Sequence, residues 1–122
     1  MAKKHNPRFL AIVESAREEI SECSAGDLPE LIEQGAVIID VRENHEYESG
    51  HLSGAIHIGK GVIERDIEKF DFSTSTKLVL YCGGGFRSAI AAKSLKEMGY
   101  IEVYSLWGGW RGILSEGLET SK

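Results

Sequence analysis

The segment Cys82-Gly83-Gly84-Gly85-Phe86-Arg87-Ser88 combines residue types and spacing that point to chemistry: a thiol, three glycines, a guanidinium and then a serine at the head of a helical pattern. Three consecutive glycines let the backbone curl so that successive N–H groups face inward, making a concave nest for an anion that bulkier residues obstruct. A helix starting near Ser88 and running over Ala89 to Met98 adds the positive end of its dipole, about 0.3–1 kcal/mol for an exposed anion and up to about 2 kcal/mol when partly buried. A free cysteine is only a few per cent thiolate at neutral pH, so a nucleophile needs its anion stabilised. The helix end, the inward amides and Arg87 together provide this, since hydrogen bonds to charged groups contribute roughly 1.5–3 kcal/mol each. No general-base histidine is required, and the same cradle suits a sulfur atom carried on Cys82 as a persulfide. A lone cysteine is more often an inert packed thiol. The glycines, Arg87 and the helix start together shift the balance toward an anion site. Tyr81 and Phe86 fit core or loop-anchoring roles better than substrate contact.

Such a loop has to be held between a strand and a helix. Lys77-Leu78-Val79-Leu80-Tyr81 precedes it as an apolar strand, and Ala89 to Met98 follows as a helix stopped by Gly99. That places the loop at the carboxyl end of a strand, where open α/β sheets put their ligand sites. Ala36 to Val41 is β-branched and apolar on both faces, as a strand buried in a parallel sheet should be, and it ends at the polar pair Asp40 and Arg42. Shorter strands are expected at Ile20–Cys23, Ala55–Ile58 and Val103–Leu106. Phe9, Ile12, Val13, Ala16 and Ile20 form one apolar stripe on a helix from about residue 8 to 20. Ser24 or Asp27 can cap a second helix that stops at Gly35. Asp27 suits Pro29 in the first turn better, with Glu30 completing a capping box. Glu43 to Gly50 predicts a helical turn, Gly61 to Phe70 has helical spacing, and Trp107-Gly108-Gly109-Trp110 turns the chain into a last short helix. Strands alternating with helices imply an α/β sandwich with a largely parallel central sheet. Residues 1–19 form a helical extension and 20–122 the domain proper.

The 122 residues, 42% hydrophobic and 27% charged, have ordinary globular composition for one domain. Apolar runs of only a few residues fall short of the roughly 18 that a membrane helix needs. Met1 to Pro7 starts basic but lacks the apolar stretch and cleavage site of a signal peptide, so a cytoplasmic location is expected. A net charge of -5 argues against a general nucleic-acid binder, which needs a basic patch to neutralise phosphates. Cys23 and Cys82 fall outside any CxxC spacing and no Cys/His cluster offers tetrahedral ligands, so neither metal nor cofactor is expected. A reducing compartment disfavours a disulfide between them.

Several motifs recur in order: Ile39-Asp40-Val41-Arg42, Glu46, Gly50-His51-Leu52-Ser53-Gly54-Ala55-Ile56-His57-Ile58, and Tyr81-Cys82-Gly83-Gly84-Gly85-Phe86-Arg87-Ser88. With the later Gly99-Tyr100 and Trp107-Gly108-Gly109-Trp110, they resemble a single-domain rhodanese over about residues 20 to 118. The resemblance implies a parallel five-stranded sheet with helices on both faces. It implies that Cys82 carries the persulfide, that the backbone from Gly83 through Ser88 cradles it, and that Arg87 stands where many members contact an anionic donor with a basic residue. Asp40 and Arg42 match the family's Asp-x-Arg signature, and His51 its Gly-His.

From the residues themselves, Arg42 has Asp40, Glu43 and Glu46 within plausible reach, which fits an ion pair organising the loop better than a catalytic role. Asp40, Arg42, Glu46 and His51 are accordingly expected to support the loop. His57 fits a packing or hydrogen-bonding role, and Trp107 and Trp110 are expected to cover the sheet. The Lys60 to Asp66 run fits a solvated helix face better than the site mouth. The expected partners are a small anionic sulfur donor and a thiol or protein acceptor, with no nucleic acid and no membrane. Three functions compete: a sulfurtransferase, a cysteine-dependent phosphatase or arsenate reductase of the related fold, and a non-catalytic sulfur-relay or redox-sensing module. Cys82 to Arg87 is C-x4-R, one residue shorter than the phosphatase C-x5-R, which favours sulfur.

Overall fold

Leu78–Tyr81 forms the central strand β5, and its four residues are all buried, as an apolar strand covered on both faces requires. The computed structural model describes residues 5–122; residues 1–4, the start of the stretch expected to lack a leader, lie outside the described residues. On either side of β5 stand β6 (Val103–Leu106) and β2 (Val37–Asp40), with β1 (Ser21–Cys23) outside β6 and β4 (Ile56–His57) outside β2. Every neighbouring pair in this five-stranded sheet is parallel. The register sets Asp40 opposite Tyr81, so the chain leaves β2 toward Arg42 and leaves β5 toward Cys82 at the same edge of the sheet.

The two-residue alternation of the strands assigns their side chains to opposite layers. Ile39, Val41, Leu78 and Leu80 share one layer with α4 (Ile63–Asp66) and α5 (Phe86–Glu97), sealed by Ile63, Ile67 and Leu95. Ile38, Val79, Tyr81 and Leu106 share the other with α2 (Leu28–Glu33) and α6 (Gly109–Glu116), through Leu28 and Ile113. Each such side chain contributes about 1.5–3 kcal/mol by leaving water. Helix α1 (Pro7–Arg17) lies on α5, where Val13 and Ala16 pack around Ala89 with Phe9 and Phe86. The small side chains of α5 thus serve two neighbours, the sheet through Ala91 and Ala92 and α1 through Ala89.

Several local expectations are corrected. α5 begins at Phe86 rather than near Ser88, so Phe86, Arg87 and Ser88 are its first turn. Asp27 holds the N-cap position of α2 with Pro29 in its first turn, as expected, but the capping box is formed by Ser24 and Asp27 rather than by Asp27 and Glu30. The Ser24 backbone N–H and hydroxyl both donate to Asp27 Oδ2, at 3.0 and 3.1 Å, across a short 3-10 turn ahead of α2. The stretch from Gly61 to Phe70 is divided into two 3-10 turns around α4, with Ile63 and Ile67 in the core. His51–Leu52 (β3) pairs antiparallel with Thr120–Ser121 (β7), a second small sheet that two-residue segments do not announce. Trp107, expected to cover the sheet, is 63% exposed.

Candidate active site

Cys82 follows the last residue of β5 and is buried, and its Sγ is met by groups from the loop that follows. The N–H of Gly85 donates to Sγ at 3.2 Å and that of Ser88 at 3.4 Å. Ser88 Oγ lies 3.5 Å from Sγ and 2.8 Å from Oγ of Ser105, a buried residue of β6. The thiol donates to Ser88 Oγ; once ionised, Sγ receives the Ser88 hydroxyl instead, and Ser105 donates in turn. The amides of Phe86 and Arg87, also in the first turn of α5, have no intrahelical acceptor.

The curl is enforced from two sides. Gly85 has φ +97°, the left-handed region that L side chains avoid, and a Cβ there would stand 3.2 Å from the Leu106 carbonyl oxygen. Gly83 and Gly84 meet no such demand: a Cβ would lie 3.4 Å from Arg87 Nη2 or 3.6 Å from the Phe86 ring. Of the three glycines, Gly85 is therefore the one the conformation requires. From the other side, the N–H of Trp110 donates to the Cys82 carbonyl at 2.7 Å and that of Arg111 to the Gly83 carbonyl at 3.4 Å. The first turn of α6 thus holds the loop's carbonyls outward, which leaves its N–H groups for the sulfur. This contact is close because Gly109 has no side chain: a Cβ there would overlap the Cys82 carbonyl oxygen and lie 2.9 Å from the Gly83 carbonyl carbon.

Arg87 Nη1 and Nη2 grip Glu46 Oε1 and Oε2 at 2.9 and 3.2 Å. Glu46 also accepts the Glu43 N–H at 3.0 Å, closing the capping box of α3 (Asn44–Ser49). Its carboxyl is lowered to about 2, first by the Arg87 hydrogen bonds and against the cost of its burial. Arg87 is correspondingly raised, by Glu46 first and, beyond its own desolvation, by the nearby charge of Cys82.

Arg42 pairs with neither Glu43 nor Glu46. Its Nη2 donates to Asp40 Oδ2 at 2.7 Å and to the Gly50 carbonyl at 2.7 Å, and its Nε donates to the same carboxylate. Both side chains are buried, and the guanidinium lies 4.7 Å from the Trp110 ring centroid. His51 stacks on Tyr47 with ring centroids 3.8 Å apart and places Nδ1 2.9 Å from the Tyr47 carbonyl, while His57 Nε2 donates to the Arg42 carbonyl at 2.7 Å. Asp40, Arg42 and His51 thus hydrogen-bond at the carboxyl edge of the sheet, and of the four it is Glu46 whose side chain hydrogen-bonds a residue of the sulfur loop.

The rhodanese-like domain model matches residues 24–116. The chain belongs to the rhodanese family. It is 34% identical over 93 residues to the thiosulfate sulfurtransferase GlpE of Coxiella burnetii, covering 76% of this chain and 83% of that one. It is 38% identical over 76 residues to YqhL of Bacillus subtilis, spanning 62% of this chain and 59% of that protein. A solved structure from Rhodopseudomonas palustris, described as a possible tyrosine phosphatase, superposes with a TM-score of 0.84 at 28% identity over 99% of both chains. α1 lies ahead of the residues the rhodanese model matches, and that coverage takes it in.

Ser105 and the pair Gly109 and Trp110 belong to this rhodanese site although sequence reasoning assigned them no part in it. Ser105 carries no signal beyond being polar in an apolar strand. Trp107-Gly108-Gly109-Trp110 stood out as a motif, but its hold on the loop comes from the Trp110 backbone amide and the missing Cβ of Gly109, while the Trp110 ring lies against Arg42. The second cysteine is of another kind: burial, then the charges of Asp27 and Glu22, push the Cys23 thiol up to about 12. Both cysteines are free. Cys23→Ser is therefore expected to leave any sulfur-transfer turnover within about threefold, since its thiol stays protonated at neutral pH. A loss as deep as that of a Cys82 variant, in a thiosulfate-to-cyanide assay, would make Cys23 a resolving partner.

Proposed function

We propose that this rhodanese is a sulfurtransferase of reducing compartments such as the cytoplasm, passing a sulfane sulfur from thiosulfate or a persulfide to a thiophilic acceptor through Cys82. The observation that carries the proposal is the convergence of the Gly85 and Ser88 amides and the Ser88 hydroxyl on Cys82 Sγ. Hydrogen bonds of this kind to an anion contribute roughly 1.5–3 kcal/mol each. The thiolate attacks the outer sulfur of the donor. The donor's S–S bond breaks, its leaving group (sulfite from thiosulfate, a thiolate from a persulfide) takes the electron pair, and Cys82–S–S⁻ remains. The unpartnered amides of Phe86 and Arg87 are the donors proposed for that terminal sulfur. Cyanide, a thiol or a thiol-bearing protein then attacks it, and the Cys82 thiolate leaves. Similarity to GlpE of Coxiella burnetii supports thiosulfate as one donor.

The Rhodopseudomonas palustris structure keeps a phosphatase in play. Against it stands the C-x4-R loop, a narrower ring of N–H groups than a tetrahedral oxyanion needs. Incubating the protein with thiosulfate should give an intact mass one sulfur atom greater, which cyanide removes, and aryl phosphates should be left unhydrolysed. Aryl phosphate turnover together with no sulfur gained from any donor would transfer the assignment to the phosphatase.

A further inference from the structure

We propose that Glu46 sets donor preference in this rhodanese by cancelling the charge of Arg87, so that the site favours monoanionic persulfides over dianionic thiosulfate. The inference rests on the sulfurtransferase reading and names the donor class that reading leaves open.

Arg87 is the one charged residue between Cys82 and Ser88, and its guanidinium borders the loop closely enough that a Cβ on Gly83 would touch Nη2 at 3.4 Å. A cation in that position would draw a dianion more strongly than a monoanion, because the attraction scales with the product of the charges. Here both terminal nitrogens are committed to one carboxylate, in the paired, two-bond geometry that guanidinium and carboxylate favour. The carboxylate is fixed from behind as well, by the Glu43 N–H at the start of α3. The Arg87 hydrogen bonds hold the Glu46 carboxyl well below the usual carboxylate range, so it is ionised at neutral pH. An approaching donor therefore meets a nearly neutral pair. The pair is about one-third exposed, 33% for Arg87 and 29% for Glu46, so it faces the solvent from which the donor comes. A second acidic residue, Glu43, also stands close enough to act on the Arg87 charge, and it adds to the cost of bringing a dianion there.

The test compares kcat/KM for thiosulfate and for a monoanionic alkyl persulfide, with cyanide as acceptor, in four proteins: wild type, Glu46→Gln, Arg87→Ala and the double variant. Glutamine is accepted at the third position of a capping box, so Glu46→Gln keeps α3 capped while removing the charge. It should raise the thiosulfate-to-persulfide ratio by about tenfold, equivalent to about 1.4 kcal/mol. Arg87→Ala leaves an unpaired carboxylate and should lower the ratio by a similar factor. The double variant, with neither charge, should return it to within about threefold of wild type. The gains and losses should shrink as salt is raised from low to physiological ionic strength, because they act between partly exposed charges. A purely structural pair would depress both donors in parallel in all three variants, with no salt dependence and no restoration in the double variant, and that pattern would overturn the proposal. The two levels fail separately. If wild-type Cys82 gains sulfur from no donor, the sulfurtransferase reading falls and this inference with it. If Cys82 is loaded but the ratio is the same in every variant, only the role of Glu46 falls.

Discussion

Cys82→Ser is expected to reduce sulfur transfer from thiosulfate to cyanide by roughly a thousandfold or more, to the level of the uncatalysed background, as removal of a nucleophile does elsewhere. A hydroxyl at residue 82 would still receive the Gly85 and Ser88 amides. It neither ionises at neutral pH nor carries sulfur. The exchange removes little volume and keeps the hydrogen-bonding pattern, so the midpoint of thermal unfolding should shift by only a few degrees, on the order of 1 kcal/mol. Two measurements together settle it: steady-state cyanide turnover, and intact mass after exposure to thiosulfate. Wild-type turnover in a folded Cys82→Ser protein would mean that sulfur travels by another route.

The second large effect is expected at Gly109, a residue with no side chain and no polar contact with the sulfur. A methyl group there would overlap the Cys82 carbonyl oxygen and press on Gly83, and the backbone at φ +50° already lies where a side chain is disfavoured. The left-handed conformation costs about 1–2 kcal/mol for a residue with a Cβ. Forcing a methyl group into a filled space adds about 1–3 kcal/mol. Gly109→Ala should therefore lose about 2–5 kcal/mol, a fall of roughly 10–20 °C in Tm. Gly117 separates the two contributions, because at φ +71° it shares the conformation but a Cβ there would touch nothing within 4 Å. Gly117→Ala should show the conformational cost alone. In the Gly109 variant the fraction that stays folded should also transfer sulfur poorly, since relief of the overlap moves the carbonyls that the Trp110 and Arg111 amides hold. Equal unfolding midpoints for the two variants would show that the close approach carries no weight.

The layers of this fold were legible because the strands that make them are apolar on both sides. Leu78 to Tyr81 and Ala36 to Val41 carry that pattern, and their pairing follows from it. The sulfur loop was legible from its composition, and three adjacent glycines beside a cysteine point to an anion site whichever of them bends. What bends is Gly85, and that is a property of the Leu106 and Gly108 backbone beneath it rather than of the loop. The start of α5 was placed too late because Phe86, Arg87 and Ser88 show no apolar spacing of their own; the chain turns helical directly after Gly85. The charge pairs were readable as a set but not as partners. Arg42 had three carboxylates in reach and took Asp40, two residues away on the same strand end, which left Glu46 for a guanidinium 41 positions distant. The pairing of His51 and Leu52 with Thr120 and Ser121 rests on two-residue strands, too short for any alternation to register.

The clamp on the sulfur loop also imposes an order of events during synthesis. Cys82 leaves the ribosome before the serine of β6 that backs Ser88, and before the Trp110 and Arg111 amides that hold its own carbonyl and that of Gly83. Until those residues have been made, a growing chain lacks the contacts that hold the loop's carbonyls outward and its N–H groups toward Cys82. Elongation at about 5–20 residues per second makes that interval one of seconds. The formed loop is thereby deferred until α6 has been made, and a product cut short ahead of α6 contains Cys82 but not the backbone amides that hold its loop.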